Sequence, residues 1–198
     1  MSERDHRGTP PSQVGHYGAA SSGVAFAEAT IATAWNVQGR ADRKTFLDAA
    51  QSAFGAALPT RPNTFTRGEC VMVLWLGPAS WLIVSGEPLG DFGAKRDAMN
   101  AAGGALFDVT CARIAWTVSG SHAATVLSKG CPLDFHPRAF APGTCAQSLL
   151  GHINALLARD DNAFTVMVAR SFARDAWRML CESAAQYGYD VNEATPYR

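Results

Sequence analysis

Alternating apolar and polar positions give way to helical spacing, and this happens twice along the chain. Residues 29–37, ATIATAWNV, alternate and are rich in β-formers, which predicts a strand. Gly39 and Asp42 then open a helix in which Phe46, Leu47, Ala50 and Phe54 share one face, and Arg61-Pro62-Asn63 ends it in a loop. Residues 69–76 and 81–84 flank Gly77-Pro78 and predict a hairpin. A helix over 91–102 stops at Gly103-Gly104, and a short strand follows at 106–109. The predicted order is βαββαβ.

The second round resembles the first in order, though not in alignable sequence. Residues 113–118 alternate like a strand, Ser119-Gly120-Ser121 turns into a helix ending near Lys129, and Gly130 stands where a C-terminal glycine belongs. Residues 144–150 and 153–158 predict a hairpin around Gly151-His152, with a further strand at 164–168. Ser171 is placed to cap a helix whose Phe172, Ala176, Trp177, Leu180 and Ala184 form a stripe, and 189–191 predict a last edge strand. Together these predict an α+β protein of two ferredoxin-like split βαβ halves, with antiparallel sheets backed by helices. The halves are expected at 24–110 and 111–198, packed as one compact unit. Residues 1–23, polar and without periodicity, are expected to be a disordered leader.

Composition narrows the function. Hydrophobic residues are 47% of the 198 and charged residues only 17%, short of the usual quarter, which fits a subunit with surface to cover better than a solitary monomer. Self-association of the isolated chain is the other way to cover such a surface. Lysines and arginines number 17, as do the acids, with no basic block, so neither nucleic acid nor an anionic membrane is an expected partner. The five cysteines (Cys70, Cys111, Cys131, Cys145 and Cys181) include no CxxC pair, and no histidines cluster with them. Reduced thiols in a cytoplasmic protein are therefore expected, without a disulfide framework or a metal site. No apolar core of a signal peptide opens the chain, and the apolar run at 71–84 is broken by Gly77-Pro78 and too short to span a bilayer. No GxGxxG follows a strand, so FAD and NAD have no cradle here.

Two motifs carry the chemistry. Phe107-Asp108-Val109-Thr110 leads into a strand, where Asp108 and Thr110 can bond nearby backbone amides. Residues 129–140, KGCPLDFHPRAF, then present Asp134, Phe135, His136, Arg138 and Phe140 on a segment stiffened by two prolines. Arginine beside aromatics is the residue set that dominates interface energetics, so these five form a candidate interface; a loop satisfied internally is the reading of equal weight. Cys131, Asp134 and His136 lie too close together for a nucleophilic triad, whose members the fold normally gathers from afar.

Across residues 28–182, and most closely over 107–177, the sequence resembles the γ subunits of heterotetrameric sarcosine oxidase, and through them the folate-binding fold of aminomethyltransferases. Departures from the latter are informative. Cys111 stands where many relatives carry histidine, and Leu150-Gly151-His152-Ile153-Asn154 lacks the carboxylate with which that turn serves folate. Positioned acid–base groups contribute about 10²–10⁴-fold, so the resemblance implies a chain with no catalytic, cofactor-binding or metal residues of its own. It implies an accessory subunit packed on the α subunit, with β and δ in the same complex. FAD, FMN, NAD and tetrahydrofolate would belong to the larger subunits, and zinc to the small one. That complex oxidatively demethylates sarcosine to glycine, with hydrogen peroxide and 5,10-methylenetetrahydrofolate as the other products. The alternative is a free-standing folate-binding or aminomethyl-transfer protein. On the docking reading, Arg138→Ala and Phe140→Ala should each weaken assembly without changing the fold.

Overall fold

The computed structural model describes residues 13–197. Two compact units emerge. One holds residues 13–29 with Ala112–Pro142 and Gln147–Thr195, and the other Thr30–Cys111 with Gly143–Ala146 and 196–197. In mid-chain the two meet at Cys111/Ala112. The segment before Thr30 nevertheless joins the later half, because its strand pairs there.

The second unit follows the predicted order. Strands β3 (Thr33–Gln38), β5 (Met72–Gly77), β6 (Ser80–Ser85) and β7 (Ala105–Asp108) alternate with helices α1 (Lys44–Phe54) and α2 (Phe92–Ala101). With a short extra strand β4 (Phe65–Arg67), which the pattern did not reveal, the sheet runs β4-β5-β6-β3-β7, all pairs antiparallel. Helix α1 places Phe46, Ala50 and Phe54 into a core with Trp35, Trp81, Ile83 and Met99. Trp81 is fully enclosed, and its indole N–H donates to the Pro59 carbonyl at 2.8 Å, so its one polar atom is satisfied. Asp42 does not cap α1; its carboxylate lies on Arg40 at 2.5 and 3.0 Å, and Arg43 occupies the cap position.

The first unit repeats this plan with an insertion. Strands β8 (Arg113–Ser119), β9 (Thr144–Leu150), β10 (Ile153–Arg159), β11 (Ala163–Ala169) and β12 (Tyr189–Pro196) combine with α3 (Ala123–Ser128) and α4 (Ala173–Ala184). The sheet order is β1-β12-β2-β8-β11-β10-β9. Dropping β1 and β2 leaves the order of the other sheet read in reverse, and β9 occupies the place of β4. Strand β2 (Val24–Thr30) lies between β12 and β8, pairing antiparallel with β8 from Ala25↔Ser119 to Ala29↔Ala115. The single strand expected over 29–37 is therefore two strands in two sheets. They part at Ile31-Ala32, where the Ala32 amide bonds to Ser85 and the buried Thr33 hydroxyl both donates to Glu87 O and accepts from Leu89 N. Periodicity continued through that break because Ile31 is buried too.

Three further expectations change. Strand β12 is flanked on both sides, by β2 and by β1 (Gly15–Tyr17), so it is not an edge. The leader is thus ordered at 15–17, while residues 1–12 lie outside the described chain. Phe172 leaves the stripe of α4: it sits at the helix N-cap after a 3₁₀ turn, 45% exposed, with no cap bond from Ser171. Ala176, Leu180 and Ala184 are buried, and Trp177 packs edge-on against Phe26 and tilted against Trp116.

Strand β1 is held by His16. Its Nδ1 lies 2.7 Å from the Asp190 carboxylate and its Nε2 2.7 Å from the Ala19 carbonyl, so both nitrogens face acceptors and only the imidazolium can donate to both. The Asp190 bond chiefly, then the Ala19 bond, raises the His16 pKa above 6.5; a bond from Ser22 and then His16 lower that of Asp190 below 3.8. The raised histidine contribution is complete below pH 6.5 and is lost as pH rises through the folded value. The depressed carboxylate contribution is present above 3.8 and is lost as pH falls through its folded value. Docking of β1 should therefore be tightest between these limits. NMR shifts of the Tyr17 and Val191 amides should titrate together above pH 6.5 and stay flat in His16→Asn; flat wild-type shifts would contradict this.

Candidate functional site

The strand leading to β8 is fixed as its residue types require. Asp108 accepts the Thr110 amide at 2.9 Å, and the Thr110 hydroxyl accepts the Ala34 amide at 3.0 Å. Cys111 is exposed in the 3₁₀ turn that follows.

The loop after α3 has its backbone groups bonded by other backbone groups and by nearby side chains. The Cys131 amide bonds to Leu127 O at 2.9 Å, and Gly130 O accepts from the Gly151 amide in the β9–β10 turn at 2.6 Å. Gly151 has φ +62°, and a Cβ there would lie 2.2 Å from Met179 Cε, so that turn admits no side chain at this position without rearrangement. Asp134 accepts the His136 amide at 2.8 Å, His136 Nδ1 accepts the Arg138 amide at 3.2 Å, and His136 O accepts the amides of Ala139 and Phe140 at 2.9 Å each.

These bonds turn the two phenylalanines inward. Phe135 and Phe140 are each 5% exposed and meet Phe164 on β11, edge-on at 5.4 Å and parallel at 6.4 Å. Of the five candidate interface residues, then, Phe135 and Phe140 are core, whereas Asp134, His136 and Arg138 are exposed. Aromatic type fits a surface contact and an internally packed loop equally; for these two rings a neighbouring aromatic across the fold, invisible in local sequence, decides for the second. Cys131 is buried with its thiol 3.6 Å from Ser148 Oγ, and Asp134 and His136 face away to solvent, so no triad forms.

Arg159 was missed. Its guanidinium donates to Phe135 O at 3.0 Å and Phe140 O at 2.8 Å and lies 5.1 Å over the Phe164 ring, its cross-strand partner. The hairpin register, with Asp160-Asp161-Asn162 as its turn, was the available signal. Arg159→Gln should cost about 2 kcal/mol, since bonds from a charged donor are worth about 1.5–3 kcal/mol. It should also speed hydrogen exchange at the Ala139 and Phe140 amides; unchanged exchange would show that the loop holds without it.

Among the described residues no three His, Cys, Asp or Glu side chains gather to hold a metal ion, and no helix is long and apolar enough to cross a membrane. The β9–β10 turn exposes His152, and residues 150–154 carry no carboxylate of their own.

The chain is 33% identical over 125 residues to the sarcosine oxidase subunit gamma of an Arthrobacter species, a match spanning 63% of this chain and 62% of that protein, under two thirds of its length. It is 28% identical over 141 residues to the corresponding subunit of Corynebacterium sp. strain P-1, 70% of either chain. A chain of the heterotetrameric sarcosine oxidase of Corynebacterium sp. U-96 superposes with a TM-score of 0.75 at 25% identity, covering 86% of this chain and 88% of that one. The glycine cleavage aminomethyltransferase T of Bartonella henselae shares the fold at a TM-score of 0.54 and 13% identity, over 88% of this chain and 48% of the enzyme. Residues 38–186 match the sarcosine oxidase, gamma subunit family, three quarters of the chain's length, and the chain belongs to that family.

Proposed function

We propose that this chain is the accessory γ subunit of a heterotetrameric sarcosine oxidase, supporting its assembly and performing no turnover itself. The observation that carries the reading is the likeness to a chain of the Corynebacterium heterotetramer over 88% of that chain's length. Its proposed partners are the α subunit first, with β and δ in the same cytoplasmic complex. The complex oxidises sarcosine to glycine with oxygen as electron acceptor, releasing peroxide, while the methyl carbon leaves as 5,10-methylenetetrahydrofolate. FAD, FMN, NAD, tetrahydrofolate and zinc are assigned to those other subunits.

The chain's own part is mechanical. Asp134, His136 and Arg138 stand on a loop whose backbone is already bonded, so docking need not order it, and the entropic cost of fixing an interface loop is small. The test is a tagged chain recovered from host cells grown on sarcosine. The reading expects flavin absorbance and sarcosine-dependent peroxide in the eluate. A colourless lone chain would overturn it.

A further inference from the structure

A cleft of about 510 Å³ opens on the seven-stranded sheet, lined by Arg113 of β8, Gln147, Ser148 and Leu149 of β9, and Asn154, Ala155 and Leu156 of β10. Its volume is in the range of small-molecule sites. No acidic side chain lines it. Arg113 is half-buried, and its guanidinium has no carboxylate partner among the described residues. Its backbone is nevertheless anchored, because Arg113 O accepts from the Arg170 guanidinium at 2.9 Å. Ser148 Oγ accepts from the buried Cys131 thiol at 3.6 Å on the other face of the sheet and lines the cleft through its backbone only, while Asn154, across β11 from Arg113 on the same face, adds an amide.

From the half-buried guanidinium and the donor-rich, acid-free lining of this cleft, we infer that it is a binding site for a small organic monocarboxylate. A guanidinium matches a carboxylate with two parallel bonds, and the asparagine amide supplies a further donor. Leu149, 41% exposed, offers apolar surface to a short aliphatic chain. Phosphate fits less well, since the lining holds one cation, no lysine and no helix N-terminus. Burial lowers the Arg113 pKa, the sign of a charge deprived of water, and a bound anion would relieve that cost.

This inference goes beyond the assembly role and does not depend on it. The test is ligand-observed saturation-transfer NMR with sodium propionate on the full chain, repeated with neutral propionamide of the same shape. Propionate should give a saturable signal in the millimolar range and propionamide at least roughly tenfold less, a difference of about 1.4 kcal/mol. Arg113→Gln should abolish the propionate signal while Arg113→Lys retains part of it. Equal signals from the two probes, or a full propionate signal in a folded Arg113→Gln, would overturn the inference. The same titration on the assembled complex separates the sources of the carboxylate. Retained binding supports a free ligand, and loss on assembly overturns it in favour of a partner's acidic side chain.

Discussion

Phe140→Ala should destabilise the chain by about 3 kcal/mol, at the lower end of what phenylalanine truncation costs in a core. The ring is 5% exposed, lies parallel to Phe164 at 6.4 Å and meets Phe135 edge-on at 6.0 Å, so its removal leaves a hole against two aromatic faces. Its carbonyl is also an acceptor for Arg159, and a shifted backbone would strain that bond as well. For a chain of this length the loss corresponds to a fall in Tm of roughly 6–12 °C, measurable by calorimetry. Phe140→Leu should recover most of it, because the lining can close on a branched aliphatic. A Tm unchanged in Phe140→Ala, with assembly lost, would return Phe140 to the surface role that its sequence context suggested.

Arg138→Ala should do the opposite: leave Tm within error and weaken assembly at least about tenfold, the threshold at which an interface side chain counts as significant. Arg138 is exposed, makes no ion pair among the described residues, and contributes to the fold only through a backbone amide that alanine retains. Arg138→Lys should be intermediate, since it keeps the charge and loses the planar fork. Gel filtration with flavin detection reads the result. Assembly unchanged in Arg138→Ala, His136→Ala and Asp134→Ala alike would remove this ridge from the docking surface.

Most of the architecture was legible because the two sheets obey local rules. Alternation found β8, apolar runs bounded by turn residues found β5, β6, β10 and β11, and helical spacing found α1 and α4, since each helix buries one face. What local pattern could not carry was partner choice. The split of 29–37 between two sheets, the insertion of β2 between β12 and β8, and the pairing of β1 all depend on residues more than 40 positions away. The candidate site divided along the same line. Asp134 was legible, because an aspartate two residues before an amide makes a turn by itself. Phe135, Phe140 and Arg159 were not, because their positions depend on Phe164 across a hairpin.

The central claim is that the chain assembles a catalyst without being one. The most direct measurement is co-expression of the proposed α, β and δ partners with and without this chain, followed by the yield of flavin-containing complex and its kcat for sarcosine per flavin. The account predicts a large loss of assembled complex without the chain, and an unchanged kcat in whatever fraction still assembles. Full assembly with kcat abolished would contradict it, and would place part of the chemistry on this chain.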